Sequence, residues 1–433
     1  MHCTTSPLSV HGLSAPVQAD HRHLTGGSVN CSDGGSDSPL GITAKSSTPP
    51  VDQGARISRA HKYQALAQAR VWIGRRVNIL KPEEQFPGNV YRTFDCRYVR
   101  TAHHVSVHRN EAFKSAHYKG VATCGSVWAC PVCAGKIQER RRLELEHLVE
   151  WADSQTLQAL MVTLTFPHRA FHSLSELLER QADAFKRFRA GSPFRRLKES
   201  IGFAGLVRSL EVTHGQNGWH PHTHELWLVN ADVAEHVRYE IQHLWERACI
   251  SAGLLDPTDE RSLFAFRMHA VNVRLNATSG DYLAKQDSSR NWGITHEVAK
   301  ASSKAGRAKG VHPHEFLVRA AKGDEALYFE YLEGMKGKRQ LFWSPGLKGR
   351  CSLSDSSDEQ IASEESDVSD LLGRLSQDEW EFIRKKRVIA QILDVAETGG
   401  WPLIERYLRT LGYTDPPPDF GTESVDLGMT RYG

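Results

Sequence analysis

Three histidines spaced two residues apart, His220, His222 and His224, are the residues of this sequence best suited to chemistry. An apolar run follows them, so the segment is predicted to be a β-strand, in which a period of two places all three imidazoles on one face. Imidazole is the commonest metal ligand among protein side chains. The segment therefore predicts a metal site, and the alternative is a polar strand face whose histidines bond to water or backbone.

A carboxylate is predicted to face these histidines. Residues 203–229 are predicted to form a hairpin with a four-residue loop at 215–218, and Glu211 then falls opposite His222 on the same face. Such a set of nitrogen and oxygen ligands suits Mn²⁺ or Zn²⁺, and Mg²⁺ where a phosphate supplies further oxygens. A register slip of one residue would remove Glu211 from this face.

A second candidate metal site lies upstream, where Cys124, Cys130 and Cys133 stand within ten residues. A Cys-Pro-x-Cys turn can present two thiolates to one tetrahedral zinc ion. A fourth ligand is needed, and Cys96 is the first candidate and His117 the second. We expect a structural Zn²⁺, because four cysteine ligands leave no open position for a substrate. The alternatives are buried free cysteines and a redox pair.

A tyrosine and a lysine lie three residues apart in a predicted helix. Thr278 or Ser279 would cap it, and Tyr282 and Lys285 would then face the same way. A phenolic oxygen beside a lysine and a metal can serve as a nucleophile. The alternative is a tyrosine that only packs, since the chain has 11 tyrosines.

Strands and helices must hold these groups in place, and the pattern of apolar residues predicts where they run. A strand rich in β-branched residues is predicted at 158–166, and Ser173 with Glu176 indicates a capped helix after it. Further strands are predicted at 90–107 and 264–275. Helices are predicted at 56–80, 134–152, 231–252 and within 376–412. This order predicts an α+β fold with a central antiparallel sheet flanked by helices.

Charge divides the chain more sharply than its net value of +3 indicates. Residues 56–350 carry 44 Lys/Arg against 30 Asp/Glu, whereas residues 351–433 carry 8 against 17. We therefore predict a basic domain at 56–350, containing a zinc region at 96–133, and an acidic linker at 351–375 before a helical segment at 376–433. Residues 1–55, rich in Ser and Gly, are predicted to be disordered. A basic domain favours an anionic partner such as nucleic acid.

Composition excludes some classes of protein. Hydrophobic residues make up 40% and charged residues 24% of the 433, as is typical of a globular chain. No apolar run approaches the roughly 18 residues of a membrane helix, and the N-terminus lacks the pattern of a signal peptide. We therefore expect a cytoplasmic protein with reduced cysteines and no membrane partner.

The segments described above occur in the order typical of one superfamily. From about residue 90 to 350 the sequence resembles the rolling-circle replication initiator (Rep) proteins of bacterial plasmids, which are HUH endonucleases. The segments that carry the resemblance are Met161-Val-Thr-Leu-Thr-Phe-Pro-His168, Trp219-His-Pro-His-Thr-His-Glu-Leu-Trp227, Asp281-Tyr-Leu-Ala-Lys285, the cysteine region at 118–133 and Lys336-Gly-Lys-Arg-Gln-Leu-Phe-Trp-Ser-Pro-Gly-Leu347.

The resemblance implies an HUH-like fold and a DNA-nicking reaction. His222 and His224 would bind Mg²⁺ or Mn²⁺, with Glu211 or His220 as a further ligand. Tyr282 would attack the scissile phosphate, giving a 5′-phosphotyrosyl enzyme and a free 3′-OH that primes a polymerase. Lys285 would offset negative charge. The partners implied are single-stranded or extruded plasmid origin DNA and, in addition, a host helicase and DNA polymerase.

Two positions depart from the family pattern. Thr223 stands where a bulky apolar residue is usual between the histidines, which is tolerable because it faces away from them. Thr278 stands where some relatives carry a glutamate that activates water to end replication. The sequence therefore leaves the carboxylate for termination unassigned.

Other readings of the same motifs remain open. A relaxase or transposase of the superfamily shares the chemistry but serves transfer or transposition. A zinc-containing DNA-binding regulator without catalysis would form no covalent product. A histidine-triad nucleotide hydrolase also has alternating histidines, but Pro221 and Thr223 fit its apolar spacers badly.

Overall fold

The computed structural model describes residues 53–79, 90–110, 114–230, 237–274, 310–363 and 369–414. The helices in these ranges are α1 (Gln53–Ile79), α2 (Val90–Asp95), α3 (Pro131–Ser154), α4 (Leu174–Phe188), α5 (Gly191–Ser200), α6 (Val237–Ser251), α7 (Glu260–His269), α8 (Glu315–Arg319), α9 (Asp324–Met335), α10 (Leu347–Arg350), α11 (Asp358–Ser363), α12 (Gln377–Lys386) and α13 (Ile389–Thr410). The strands are β1 (Val105–Asn110), β2 (Ser115–Lys119), β3 (Leu157–Leu164), β4 (Gly205–Gly215), β5 (Gly218–Asn230), β6 (Val271–Arg274), β7 (Leu341–Trp343) and β8 (Asp370–Leu375). Within these ranges, none of the helices combines the length and apolar character needed to cross a bilayer.

Five strands form the larger sheet, in the order β6-β3-β5-β4-β7. Every neighbouring pair in it is antiparallel. Helices α4, α6 and α9 contribute to the core on one face, and α3 packs against the other. The predicted antiparallel sheet flanked by helices is therefore confirmed, and the HUH-type topology remains a prediction.

Strand β3 is central because its side chains are buried on both faces of the sheet. Leu160, Val162 and Leu164 face the core formed with α4 and α6, while Met161 faces the core formed with α3. A continuous apolar run is what such a doubly buried strand requires. The helix that follows begins as predicted, since the Ser173 side chain accepts a hydrogen bond from the Glu176 backbone N–H.

One face of strand β5 is polar in its first half, where the histidines lie, and apolar in its second half. Leu226 and Leu228 face α3 and are fully buried in its core. His220, His222 and His224 project from the same face because they are even-numbered positions of the same strand. The apolar half of this face is therefore covered by α3, and the polar half carries the histidines.

The strands predicted at 90–107 and 264–275 are confirmed only at their ends, where β1 begins at Val105 and β6 covers Val271–Arg274. Residues 90–95 form α2, in which the spacing of Val90 and Phe94 is also the spacing of one helical face. Residues 260–269 form α7, where Asp259 caps the helix by accepting a hydrogen bond from the Ser262 N–H, and only the short β6 follows. In both cases the spacing of the apolar residues fits the repeat of a helix as well as that of a strand, and local capping or packing selects the helix.

The second sheet is small and joins two distant parts of the chain. Its order is β2-β1-β8, and α12 and α13 pack against it around Val107, Trp380 and Ile392. The end of the region predicted as an acidic linker, residues 351–375, thus forms a strand that pairs with β1, and the helices α12 and α13 follow within the predicted helical segment. Residues 369–414 carry 7 Lys/Arg and 7 Asp/Glu, so the acidic excess lies in 351–368 and 415–433. The domain boundaries themselves remain a prediction.

Candidate active site and metal ligands

The β4–β5 hairpin brings the predicted carboxylate and two of the predicted histidines together. Glu211 pairs with His222 across the hairpin, as the predicted register requires. The Glu211 Oε2 lies 3.2 Å from His222 Nε2 and 3.5 Å from His224 Nε2. One ligand atom from each of the three residues lies within 4.8 Å of the others, which is close enough to bind one cation.

Hydrogen bonds at the far side of each ring turn the two imidazoles toward Glu211. His222 Nδ1 lies 3.2 Å from the His220 carbonyl oxygen, to which it donates. His224 Nδ1 lies 2.9 Å from Thr163 Oγ1 on the neighbouring strand. When Nδ1 carries the proton in both rings, both Nε2 lone pairs face the same carboxylate oxygen. Three electron-pair donors then converge, and only a proton or a cation between them relieves the repulsion.

The electrostatics of Glu211 fit a cation. Burial alone would raise its pKa, but when His222 and His224 are protonated their hydrogen bonds and positive charge outweigh burial and hold the pKa well below its usual range. Among the described residues, no group donates a hydrogen bond to the buried Glu211 Oε1. A buried carboxylate oxygen needs a partner. The residues present therefore fit a divalent ion.

His220 stands beside this group but does not belong to it. Its Nδ1 lies 2.8 Å from His168 Nε2, and its Nε2 lies 3.5 Å from Thr165 Oγ1. His168 in turn contacts the Asn217 carbonyl oxygen through Nδ1, at 3.0 Å. Burial, and after it the charge of His222, lowers the pKa of His220 to about 3, so its ring is neutral at physiological pH. The role that its contacts support is orientation, through the carbonyl oxygen that receives the His222 N–H.

One histidine near the site was missed by the sequence analysis. Val311 and His214 exchange two backbone hydrogen bonds, of 2.8 and 3.0 Å, which place His312 on the same face as Thr213 and Glu211. Burial lowers the pKa of His312 to about 4, and the negative charge of Glu211 opposes that shift. Its sequence signal was a second His-Pro-His, at 312–314, which repeats the pattern at 220–222.

The four predicted cysteine ligands also come together. The Sγ distances are 3.6 Å from Cys96 to Cys133, 3.7 Å from Cys124 to Cys133 and 3.7 Å from Cys130 to Cys96. Four sulfurs at about 2.3 Å from a tetrahedral zinc ion would be about 3.8 Å apart. All four cysteines are buried and free of disulfides. The arrangement fits Zn²⁺, and His117 lies elsewhere, stacked on His108 in the small sheet.

The start of α3 supports the thiolates. Cys130 is the N-cap residue, Pro131 follows it, and the Cys130 sulfur accepts from the Cys133 N–H at 3.4 Å. The positive end of the helix dipole favours negative sulfur at this position. Ile361 and Ala362 of α11 pack against the cysteines and cover them.

Comparison with known proteins relates this chain to replication proteins. Residues 117–253 match a protein family described as replication protein. The resemblance to plasmid replication proteins is confirmed. The matched residues include the whole β4–β5 hairpin, and so all of the Glu211 site, and three of the four cysteines; Cys96 lies before the matched segment.

Two curated relatives extend this similarity. A protein named "Protein rep" from Streptomyces lividans is 25% identical over 350 residues, which is 64% of this chain and 76% of that protein. A "Neomycin resistance protein" from Streptomyces cyanogenus is 34% identical over 136 residues, 25% of this chain and 31% of that protein. No solved structure gives a significant match. The longer alignment shows that similarity reaches well beyond the segment at 117–253.

The remaining predicted site residues lie outside the described part of the chain. Tyr282 and Lys285 lie between residues 274 and 310, outside the described ranges. Their roles remain predictions that rest on the sequence resemblance. Of the predicted nicking site, the described residues include the candidate metal ligands Glu211, His222 and His224.

Proposed function

We propose that this chain is a plasmid rolling-circle replication initiator that nicks one strand of its origin. The observation that carries the proposal is the convergence of Glu211, His222 and His224 inside a segment that matches the replication protein family. The family match supports replication initiation, and a three-ligand site that leaves room for a substrate oxygen supports nicking. A relaxase would share the nicking step, but the family match favours replication.

The residues would divide the work as follows. Glu211, His222 and His224 would hold Mg²⁺ or Mn²⁺, which when bound supplies Lewis-acid polarisation of phosphate oxygens. The Tyr282 phenolate would attack phosphorus in line. A bond from phosphorus to the tyrosine oxygen forms as the bond to the 3′ oxygen breaks, and that oxygen takes a proton and leaves as a 3′-OH. Lys285 would offset the charge on the phosphate.

The cysteines and the basic surface would serve binding. Zn²⁺ at Cys96, Cys124, Cys130 and Cys133 would be structural. The basic central domain would contact the phosphate backbone of single-stranded or extruded origin DNA, so affinity should fall steeply with salt. The 3′-OH would be used by a host polymerase, with a helicase opening the duplex ahead of it.

A matched pair of tyrosine variants tests the reaction. Tyr282→Phe and Tyr239→Phe are incubated with labelled single-stranded origin DNA and Mn²⁺ and resolved on a denaturing gel. Tyr239, an exposed residue of α6, is the control. We expect wild type and Tyr239→Phe to give a cut strand and a protein–DNA adduct, and Tyr282→Phe to give neither. Adduct from Tyr282→Phe would rule out this nucleophile, and no product from wild type would favour a non-catalytic DNA-binding regulator.

A further inference from the structure

A cleft of about 1120 Å³ opens beside the large sheet. It is lined by the loop before α3, around Trp128, and by the turn between α9 and β7, at residues 336–340. The segment at 355–360, which precedes and begins α11, also lines it. Trp343 of β7 also lines the cleft. Its volume is at the upper end of, or above, that of ordinary small-molecule sites, so it can take an extended ligand.

The cleft lies one strand away from the candidate metal group. Ser209 of β4 pairs with His224 on one side and with Leu341 of β7 on the other. The backbone continues beside β4 past the end of β7, since the Leu210 N–H donates to the Gln340 carbonyl oxygen at 2.9 Å. The same register places Arg339 beside the position of Glu211. A ligand that leaves the metal group across this edge would enter the cleft.

Three cations of the cleft have no carboxylate of their own. Among the described residues, Lys336, Lys338 and Arg339 form no ion pair. The other two cations are compensated, because Arg141 bonds to Asp358 and Lys348 to Asp355, each at 3.3 Å. The turn at 336–340 is therefore the part of the cleft that attracts an anion.

Aromatic rings line the same cleft. The Trp128 Nε1 donates to the Lys338 carbonyl oxygen at 2.9 Å and so fixes the basic turn. Trp343 carries a buried Nε1 that has no acceptor within the described ranges. The Lys348 ammonium lies 5.3 Å from the centre of its ring. Because Trp343 lines the cleft, its ring can offer an apolar surface to a nucleobase, as aromatic side chains do in single-strand binding sites.

We propose that this cleft binds the single-stranded DNA that flanks the nick. Its phosphates would lie along Lys336, Lys338 and Arg339, and a base would meet Trp343. Cations along a groove combined with aromatic rings are the usual means of binding single strands. A duplex fits badly, because its second strand would bring further phosphates near the cleft carboxylates Asp355 and Glu359. The inference rests on the proposed function, since it takes the nicked strand as its ligand.

Two triple variants with the same charge change test the cleft. In the first, Lys336, Lys338 and Arg339 are all changed to Ala. In the second, the control, Lys385, Lys386 and Arg387 at the exposed end of α12 are changed to Ala. Affinity for a labelled single-stranded origin oligonucleotide is measured across salt concentrations without added divalent metal. Losing three phosphate contacts should make the negative slope of log K against log salt shallower by about 2. The affinity at 0.1 M salt should fall about 100-fold.

The control triple should leave the slope unchanged, and Trp343→Ala, which removes the ring, should weaken binding about tenfold by losing the contact with one base. Equal slopes for wild type and the cleft triple would overturn the inference, and the proposed function would stand if that triple still formed the covalent adduct. An equal loss for a duplex of the same sequence would overturn the single-strand assignment. Failure of wild type to bind the oligonucleotide would overturn both.

Discussion

The two candidate metal sites of this chain differ in chemistry and in setting. The cysteine site has four soft ligands, all buried in an apolar cluster with Ile361 and Ala362. The Glu211 site has two nitrogens and a carboxylate, lies partly exposed, and keeps one carboxylate oxygen without a donor among the described residues. A closed four-ligand site can only hold structure together, whereas a three-ligand site leaves a position for a substrate.

The two sites also differ in the secondary-structure elements that position their ligands. The cysteines are brought together by a helix start, by the end of α2 and by a covering helix, so the metal would fasten separate elements. The Glu211 site is set by one hairpin whose strands are already paired in a five-stranded sheet. We therefore expect loss of the first metal to be a folding defect and loss of the second to be a functional defect.

The largest effect should come from the cysteine site. Cys130→Ser removes one zinc ligand, and because zinc binding in such sites contributes about 10 kcal/mol or more to folding, we expect a loss of stability of several kcal/mol. Circular dichroism during thermal unfolding and elemental analysis of zinc measure the two consequences. Cys249→Ala, a fully buried cysteine of α6 outside the cluster, is the control. Comparable unfolding temperatures for the two variants would show that the cluster holds no structural ion.

The next largest effect should separate binding from folding. His222→Ala should weaken Mn²⁺ binding by about 100-fold or more, because loss of a direct ligand exceeds the 10- to 100-fold typical of outer contacts. Its unfolding temperature without metal should stay near that of wild type. Manganese titration followed by electron spin resonance measures the affinity, with His243→Ala, on the exposed side of α6, as control. A large fall in thermal stability for His222→Ala would show that the Glu211 site, like the cysteine site, is needed for folding, and would contradict the distinction between them.

Local rules predict most of the Glu211 site from sequence. The alternation of residues in β5 and the short turn fix which side chains share a face, so Glu211 and His222 could be paired by counting. Cys130 and Cys133 were recognisable for a similar reason, because their turn is local. A ligand that is distant in sequence could be proposed from the sequence but could not be placed at the site. Cys96 was one of two candidates for the fourth ligand, and only the position of α2 distinguishes it from His117.

Long-range pairing explains what the sequence did not reveal. β8 pairs with β1 across more than 250 residues, and no local pattern at 370–375 indicates that partner. His312 reaches the Glu211 face only through the isolated pairing of Val311 with His214. The helix α2 was mistaken for a strand because its apolar spacing fits both periods. These elements depend on tertiary packing, which a single sequence does not specify.

A smaller effect should come from the hydrogen bond that orients His224. Thr163→Val keeps the side-chain shape but removes the oxygen that lies 2.9 Å from His224 Nδ1. We expect Mn²⁺ affinity to fall about 10-fold, as for other outer contacts that orient a ligand. Thr165→Val, whose hydroxyl makes a longer contact of 3.5 Å with His220, is the matched control and should change the affinity less. Equal effects would place His220 among the ligands.

The smallest effect should show that His117 takes no part in the cysteine site. Burial, and after it the positive charge of His108, lowers its pKa from 6.5 to about 4. The unfolded chain then binds a proton at higher pH than the folded one. The contribution of neutral His117 to the free energy of unfolding is therefore complete above pH 6.5 and is lost as pH falls toward 4. The full shift would correspond to about 3 kcal/mol, and we expect roughly 1 kcal/mol because the ring is partly exposed and screened.

His117→Gln should remove this part of the acid sensitivity while leaving the zinc content at the wild-type value. Chemical denaturation at pH 7.5 and pH 5 measures the first, and elemental analysis measures the second. His103→Gln, an exposed histidine just before β1, is the control for charge alone. Zinc lost together with His117 would make it the fourth ligand in place of Cys96. Zinc retained, with a smaller change in stability between the two pH values, leaves four thiolates as the closed site and assigns His117 to the packing of the small sheet.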